Sequence, residues 1–399
     1  MTEFYKIKQK SGLTILFERR DLPLATIMVT TKAGAAYETE RNKGIAHFAE
    51  HMLHKGTKKR TAKQISSSIE KVGGILNGFT AEQVTSFWTK IPSKHYFVGI
   101  DVLLDLVRNP KFSVKDINDE RRVILSEINR IHDTPQHYLF DKIKEFLYAK
   151  PFSMPIIGLK ETVSKFKRKD FLKWHRNYGP ENLVISIVGS ANLKDIDSFA
   201  KKYFKKQKKV NIPEARIKLS SRNNELIEKR HGLDQTHFSL GFHRPPLSNK
   251  MRYAGEIFNG ILGEGMSSLL FQEVREKRGL AYAIKSFLDQ EKDYGYCFVY
   301  AGIEKKNIKK VKKIVLKEIK EMSKIKSRDL DSAKEQKVGN WELALENSYN
   351  VAHELLLQEI ATKAEDFYEY PERIYDVKLD DIKKLARIKN YSLVALVPE

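Results

Sequence analysis

The chain has 399 residues, of which 41% are hydrophobic and 31% charged, a balance typical of a globular protein with two or three domains. The net charge of +21 comes partly from lysines interleaved with Ile and Val at helical spacing over residues 309–320, which is typical of a solvated helix face and argues against nucleic acid as a partner. The single cysteine, Cys297, excludes an intrachain disulfide and a zinc cluster made of cysteines.

The first predicted elements form an α+β pattern. The N-terminal residues lack the apolar core of a signal peptide, and no window is apolar enough for a membrane span, so we expect a cytoplasmic protein without a membrane partner. Residues 25–31 alternate as in a strand, and helices are predicted at about 43–55, 62–73 and 115–147. An amphipathic helix over 166–174 then leads into a buried strand over 182–189.

The second part of the chain repeats this pattern. Residues 235–241 match 25–31 at an offset of 210 (235 − 25 = 210), and a helix over 377–385 leads into a strand over 392–398. Helices are predicted between them at about 250–262, 266–277 and 328–362, and Lys205 to Asn224 is the predicted boundary. We therefore predict an α+β protein of two homologous domains, 1–210 and 211–399, each a largely antiparallel sheet covered by helices on one side.

Three residues that can carry zinc chemistry lie in the first predicted helix. His47, Glu50 and His51 form an H-x-x-E-H motif, and residues three or four apart on a helix share one face. Two imidazoles at this spacing bind zinc from one side, and a carboxylate that is not a ligand can take a proton from the metal's water. The motif is the inverted form of the H-E-x-x-H zinc helix and indicates a metallopeptidase.

A catalytic zinc site also needs a third protein ligand and one open position. Glu120 and Glu127 are seven residues apart in the helix predicted over 115–147, so they lie on one face, two turns apart. One of them can reach the metal while the other contacts a ligand histidine or a backbone group, and spacing alone does not choose between them.

These residues together resemble the pitrilysin/insulysin family, which includes mitochondrial processing peptidase. The family has a ligand glutamate about 76 residues after the motif and another glutamate seven before it, and here 127 − 51 = 76 and 127 − 120 = 7. The surrounding segments agree as well: Ala33-Gly34, Glu38, Lys55-Gly56-Thr57 and Gly73-Gly74. The resemblance implies one zinc ion per chain on His47, His51 and Glu127, with Glu120 supporting a ligand.

Two more segments carry the resemblance, which runs from about Gly12 to the C-terminus. Residues 77–80, Asn-Gly-Phe-Thr, resemble the family's Asn-Ala-Tyr-Thr edge strand, which implies that substrate binds to Asn77, Phe79, Thr80 and Ala81. Arg275 and Tyr282, seven residues apart, resemble the family's second element, which orients substrate and stabilises the oxyanion.

The resemblance implies a zinc-dependent endopeptidase that hydrolyses unstructured peptides inside a clam-shell chamber, with Glu50 as the general base. Related peptidases build the chamber from four such domains, so a chain with two implies a homodimer in which Arg275 and Tyr282 of one subunit complete the zinc site of the other. The alternative is a non-catalytic family member that acts as a structural or assembly partner. A basic nucleic-acid-binding protein is the third hypothesis, and it predicts salt-dependent binding without stoichiometric metal.

The other histidines add no ligand set. His54 stands where the family usually has a large apolar residue, and we expect it to support the site or lie on the surface, because a fourth ligand would close the site to water. His231, His237, His243 and His353 have no spacing that suggests a metal.

Overall fold

The chain forms two compact units in the computed structural model, which describes residues 3–204, 210–212, 214–215, 217–220 and 223–399. Much of the predicted boundary between Lys205 and Asn224, including its basic cluster at 205–209 and Pro213, lies outside the described residues. Unit 1 comprises Met1–Ile128, Pro155–Arg216 and Ala344–Glu365. Unit 2 comprises Asn129–Met154, Ile217–Leu343 and Asp366–Glu399.

The described residues contain eleven strands, fourteen α-helices and a short π-helix at Phe271–Glu276. The strands are β1 Glu3–Lys8, β2 Thr14–Arg19, β3 Leu24–Thr31, β4 Ile75–Thr80, β5 Thr85–Pro92, β6 Leu183–Gly189, β7 Glu225–Arg230, β8 Thr236–His243, β9 Ala281–Glu291, β10 Tyr294–Ile303 and β11 Ser392–Pro398. The helices are α1 Ile45–His54, α2 Ala62–Glu70, α3 Tyr96–Arg108, α4 Val114–Asp133, α5 Pro135–Leu147, α6 Lys160–Val163, α7 Arg168–Trp174, α8 Leu193–Tyr203, α9 Arg252–Gly263, α10 Ile308–Glu321, α11 Ser327–Ala344, α12 Ser348–Ala361, α13 Tyr370–Tyr375 and α14 Leu379–Leu385. Within the described ranges, no helix combines the length and the apolar character needed to cross a bilayer.

Unit 1 is built on a six-stranded sheet of order β1-β2-β6-β3-β5-β4. Only β2 and β6 pair in parallel, and β4 forms one edge of the sheet. Helix α3 packs on one face, where Gly99 lies against Ile27 and Thr89. Helix α12 packs on the opposite face, where the hydroxyls of Ser348 and Thr26 share a hydrogen bond (2.8 Å between oxygens) and the Ser186 hydroxyl donates to the Ala352 carbonyl (2.8 Å).

Unit 2 has a five-stranded sheet of order β7-β11-β8-β10-β9, in which only β7 and β11 are parallel. Helix α9 lies on one face, where the Ser286 hydroxyl donates to the Asn259 carbonyl at 3.2 Å. Helix α5 lies on the other face. Its Ile143 is so close to Gly241 that a Cβ added to Gly241 would lie 2.3 Å from the Cγ2 methyl carbon of Ile143. This strand order repeats that of β2-β6-β3-β5-β4, as the internal repeat predicts.

The predicted α+β class and the two largely antiparallel sheets are confirmed. The prediction placed helices on one side of each sheet. In the structure a further helix covers the other side as well, α12 in unit 1 and α5 in unit 2. The compact units also differ from the contiguous division at residue 210, because α5 belongs to unit 2 and α12 to unit 1. Each of these helices buries apolar side chains against the sheet of its unit, as Ile143 of α5 and Leu355 of α12 show.

Two helices predicted as continuous are each divided. The segment predicted over 115–147 breaks at Thr134 because Pro135 begins α5 and disfavours helical backbone in the residue before it. The segment predicted over 328–362 breaks before α12, where the Asn347 side chain accepts a hydrogen bond from the Tyr349 amide and caps the new helix. Residues 271–276 form a π-helix within the helix predicted over 266–277.

The loop after α1 is held by Asp105 of α3, whose side chain is fully buried. Its carboxylate accepts hydrogen bonds from the Thr57 hydroxyl at 2.6 Å and the Arg60 guanidinium at 2.7 Å. Asp105→Ala leaves the buried Thr57 hydroxyl without this acceptor and removes one of the two carboxylates that pair with Arg60, so we expect a loss of about 1–3 kcal/mol in the free energy of unfolding. Urea denaturation measures it, with Asp101→Ala as the control, since Asp101 also pairs with Arg60 but is partly exposed. Equal losses in the two variants would contradict this account.

Candidate metal centre

The start of helix α1 is fixed by Glu38 and Gly44. The Glu38 carboxylate accepts hydrogen bonds from the amides of Gly44 (3.0 Å) and Ala46 (2.7 Å), which satisfies donors at the helix N-terminus where negative charge is favoured. Gly44 has a φ of 95°, and a Cβ there would lie 2.7 Å from the Ile157 carbonyl oxygen. The helix direction is therefore set before the zinc motif begins.

The two faces of α1 have different surroundings. Phe48 is buried and packs edge-to-face on Phe171 of α7, with ring centroids 4.9 Å apart. Met52 and Leu53 are also buried. This anchoring leaves the motif face, with His47, Glu50 and His51, to line a cavity of about 510 Å³.

Three side chains place possible metal donors close together. The Glu127 Oε2 atom is 3.9 Å from His47 Nε2 and 3.8 Å from His51 Nε2, and the three donor atoms lie within 4.8 Å of one another. A tetrahedral zinc ion with bonds of about 2.0–2.1 Å holds neighbouring donors about 3.4 Å apart, so small side-chain shifts would complete the geometry. Two imidazoles and one carboxylate also form a ligand set that catalytic zinc uses. The residues present therefore fit zinc.

Glu120 contacts a histidine rather than the donor atoms. One carboxylate oxygen is 2.8 Å from His51 Nδ1, and the other is 2.5 Å from the Lys55 ammonium. A carboxylate on the far nitrogen of a ligand histidine fixes its ring and tautomer, which directs Nε2 toward the metal. His47 has no such partner among the described residues, where its Nδ1 is buried without a hydrogen bond. Its ring instead packs against that of His51, with centroids 4.5 Å apart.

The titration of the two histidines follows their surroundings. Burial, with the nearby charge of His51, lowers the pKa of His47 to about 3, so that His47 is neutral at ordinary pH, as a metal ligand must be. Burial also acts to lower the pKa of His51, but the hydrogen bond that its ring donates to Glu120 and the charges of Glu50, Glu120 and Glu127 outweigh it and raise that pKa. Protons therefore compete with metal mainly at His51.

Glu50 lies on the motif face beside strand β4. Burial raises the pKa of the Glu50 carboxyl, while the charge of His51 and a hydrogen bond from Thr80 act to lower it. The Thr80 hydroxyl donates to Glu50 Oε2 at 3.2 Å. Glu50 can lie this close to β4 because residue 78 is a glycine. A Cβ at Gly78 would lie 3.0 Å from Glu50 Oε1 and 3.2 Å from His54 Nε2. The carboxylate is thus oriented without being one of the clustered metal donors.

The structure places three of the four predicted substrate-binding residues at the cavity. Asn77, Phe79 and Thr80 line it along the edge strand β4, together with Glu120 and Glu127 from helix α4. Ala81 does not line it, and its backbone groups are used internally: its amide donates to the Val84 carbonyl, and its carbonyl accepts from the Ala35 amide. The available edge therefore ends near Thr80.

One neighbour of the edge strand was missed by sequence reasoning. His353 of α12 packs on Phe79 with ring centroids 5.6 Å apart, and it stacks on Tyr349 of the same helix. Tyr349 in turn packs on Trp88 at 4.6 Å. Phe79 and His353 are 274 positions apart in the sequence (353 − 79 = 274), so no local pattern could have predicted their contact.

Arg275 and Tyr282 belong to unit 2 and contact each other. Arg275 lies on the π-helix, and its guanidinium carbon is 5.5 Å from the centroid of the Tyr282 ring and 4.8 Å from that of Phe271. Tyr282 lies on the edge strand β9 and is 82% exposed, so its hydroxyl is accessible. The pair thus presents two hydrogen-bond donors at the surface of its unit.

The contact between Glu120 and His51 leads to a measurable prediction. We expect Glu120→Gln to weaken zinc binding at neutral pH by about 10- to 100-fold, because the amide holds the His51 ring less firmly and makes its nitrogen a weaker donor. Competition with a chromogenic chelator measures the affinity. Glu161→Gln, an exposed change on α6, is the control. Unchanged affinity in Glu120→Gln would refute this role.

Comparisons with known proteins were made for sequence and for structure. The model described as "Insulinase (Peptidase family M16)" matches residues 14–159, and the model described as "Peptidase M16 inactive domain" matches residues 165–337. An uncharacterized zinc protease of Rickettsia felis is 34% identical, with 96% of this chain and 94% of that protein covered. One of Bacillus subtilis is 28% identical, covering 98% and 97%. A protease structure from Helicobacter pylori matches over the full length of both chains with a TM-score of 0.91 at 22% identity, which shows the same fold.

Proposed function

Since the chain belongs to the insulinase family, peptidase family M16, we propose that it is a zinc-dependent endopeptidase that hydrolyses unstructured peptides. The observation that carries this proposal is the cluster of donor atoms of His47, His51 and Glu127 within 4.8 Å, with Glu50 beside it. His47, His51 and Glu127 would hold one zinc ion per chain, which would supply a Lewis acid to activate the attacking water and polarise the scissile carbonyl.

Glu50 acts as the general base in this proposal. It takes a proton from the attacking water and then delivers it to the leaving amine. The raised pKa of the buried carboxyl brings it closer to the operating pH, which favours both transfers. The hydroxyl of Thr80 holds one oxygen of the carboxylate in place.

The free edge of β4 is the proposed docking site for the substrate backbone. An extended peptide adds to such an edge by main-chain hydrogen bonds, with alternate side chains pointing to opposite faces. Asn77, Phe79 and Thr80 lie along this edge at the cavity. A substrate bound in this way must be unstructured near its scissile bond, because a folded segment does not offer its main chain to a new strand.

Arg275 and Tyr282 are proposed to stabilise the oxyanion in the site of a second copy of the chain, in a clam-shell homodimer. Their exposed donors suit a negative charge that develops in the transition state. Mixing the Glu50→Gln and Tyr282→Phe proteins tests this arrangement. In a mixed dimer one zinc site then has both an intact Glu50 and an intact Tyr282, so exchange of subunits restores up to about a quarter of wild-type activity. Absence of any recovery after proven exchange would rule out completion of the site across subunits.

The alternative is a non-catalytic family member that acts as a structural or assembly partner. The description of the model matched over residues 165–337 is consistent with such a role for that part of the chain. Residues 14–159 contain the whole set of His47, Glu50, His51 and Glu127, which favours catalysis.

Hydrolysis of a broad library of unstructured peptides, measured with zinc and with o-phenanthroline, separates the two functions. The proposed peptidase cleaves and is stopped by the chelator. A zinc-loaded protein that cleaves nothing in the library would instead support the assembly role.

A further inference from the structure

Lys55 is the residue that follows helix α1 and continues its last turn. Its amide donates to the Met52 carbonyl at 3.1 Å, and its φ of −80° and ψ of −3° keep the helical direction. Because residues four apart share a helix face, the Lys55 side chain lies one turn beyond that of His51 on the same side. Both side chains line the cavity of the candidate metal centre.

Glu120 of α4 contacts both of these side chains. Its Oε2 is 2.5 Å from Lys55 Nζ, and its Oε1 is 2.8 Å from His51 Nδ1. Glu120 is buried, so the partners of its carboxylate are protein groups rather than bulk water. The three side chains thus form a row that ends at His51, whose Nε2 is one of the clustered metal donors.

The contact with Lys55 restricts how the Glu120 carboxylate can turn. Rotation about the terminal bond of a glutamate side chain is broad, so one contact at Oε1 leaves the plane of the carboxylate poorly defined. A second contact at Oε2 fixes that plane and, with it, the direction in which Oε1 meets His51 Nδ1. Such outer contacts orient the ring of a metal ligand. Lys55 is therefore placed to orient the His51 ring through Glu120.

The ammonium of Lys55 has two opposite effects on a zinc ion held nearby. Its positive charge repels the metal and lowers the affinity for zinc, whereas its hydrogen bond to Glu120 fixes His51 and raises that affinity. The Lys55 side chain is 39% exposed, so water and salt screen its charge. The hydrogen bond, in contrast, goes to a buried carboxylate, and among the described residues Glu120 is the one acid that pairs with Lys55. We therefore expect the positioning effect to be the larger one.

Resting on the zinc site of the proposed peptidase, we infer that Lys55 is a positioning residue of the metal centre. It holds Glu120 in the orientation that fixes the His51 ring, and it acts on the metal through Glu120. The sequence showed Lys55 only as part of the segment 55–57 that resembles the family, with no role assigned to it. The row of contacts from Lys55 to His51 gives it that role.

A double-mutant cycle on zinc affinity tests the inference. Zinc binding by wild type, Lys55→Met, Glu120→Gln and the double variant is measured at neutral pH by competition with a chromogenic chelator. Lys55→Met removes the donor and its charge but keeps an apolar stem of similar length. We expect it to weaken zinc binding by about 3- to 10-fold in the wild-type background. In the Glu120→Gln background it should weaken binding by less than about twofold, because the residue through which Lys55 acts is already altered.

Two further variants are the controls of this cycle. Lys55→Arg keeps a positive charge and N–H donors for the Glu120 carboxylate, so it should bind zinc within about twofold of wild type. Lys58→Met, the same exchange at an exposed lysine that does not line the cavity, should also leave the affinity unchanged. Circular dichroism of the zinc-free proteins shows which variants fold. If Lys55→Met does not fold, Lys55→Gln, which is shorter and uncharged, takes its place with the same expected weakening.

The sign of the change in affinity separates this inference from its alternatives. A lysine that acted only by its charge would repel zinc, so Lys55→Met would bind zinc more tightly than wild type. A lysine that only stabilised the fold would leave the zinc affinity of the folded protein unchanged. Either result overturns the inference, and so does an equal weakening in the Glu120→Gln background.

The zinc measurements also keep this inference apart from the proposed activity. They need no hydrolysis, so a protein that binds zinc and cleaves no peptide counts against the peptidase function and still tests Lys55. Wild-type protein that binds no zinc would overturn the proposed function and this inference together.

Discussion

We expect Glu50→Gln to bind one zinc ion per chain and to hydrolyse peptides about 10²- to 10⁴-fold more slowly than wild type. The amide has nearly the shape of the carboxylate, and its oxygen can still accept the hydrogen bond from Thr80. It cannot take a proton from water, so only the chemical step loses its base. The measurements are kcat and KM on one peptide, with metal content determined by mass spectrometry.

Glu40→Gln is the matched control, because Glu40 is an exposed glutamate near the start of the same helix and lies outside the cavity. It should keep wild-type kcat. A Glu50→Gln protein that retained wild-type kcat with bound zinc would remove Glu50 from the mechanism. One that lost its zinc would place Glu50 among the ligands instead.

Glu127→Gln is expected to show the second large effect, with zinc affinity reduced by at least about 100-fold and activity lost in proportion to bound metal. The change removes the charged member of the donor cluster, and Glu127 Oε2 is the atom that faces both His47 Nε2 and His51 Nε2. Two neutral imidazoles hold a divalent cation far less firmly than the same pair with a carboxylate. Zinc titration by calorimetry measures the affinity.

Asp119→Asn serves as the control for Glu127→Gln, since Asp119 lies on the same helix with a half-exposed side chain that pairs with Arg122. A large excess of zinc should partly restore the Glu127→Gln protein, whereas it should not restore Glu50→Gln. This difference distinguishes loss of a ligand from loss of a base. Full zinc occupancy and wild-type activity in Glu127→Gln would disprove its assignment as a ligand.

The local part of the site followed from the sequence alone. His47, Glu50 and His51 share a face because helical periodicity brings residues three and four apart together, and no distant contact is needed for that. The order of strands and helices and its repetition could also be predicted from the sequence. Hydrophobic residues recur every 2 residues in a strand and every 3.6 in a helix, and short segments are sufficient to show these periods. These patterns were sufficient for the α+β class with two similar sheets.

The different contacts of Glu120 and Glu127 could not be predicted from their spacing in the sequence. Both lie on one face of α4, yet Glu120 contacts His51 Nδ1 and Lys55, while Glu127 lies by the two Nε2 atoms. The resemblance to the family had assigned them in the same way. Their distances to α1 depend on how two helices pack, and a sequence interval along one helix does not contain that information.

The sequence by itself determined the zinc motif, the family resemblance and the order of strands and helices. Only the tertiary structure decided that α12 joins the sheet of the unit that contains the zinc motif and brings His353 onto Phe79, or that α5 covers the other sheet. It also decided that His54 lines the cavity of the candidate metal centre. The physical reason is that periodicity shows which face of a helix or strand is apolar, but it does not show what that face packs against. Any apolar surface of suitable shape can bury it. The partner is selected only when the whole chain packs.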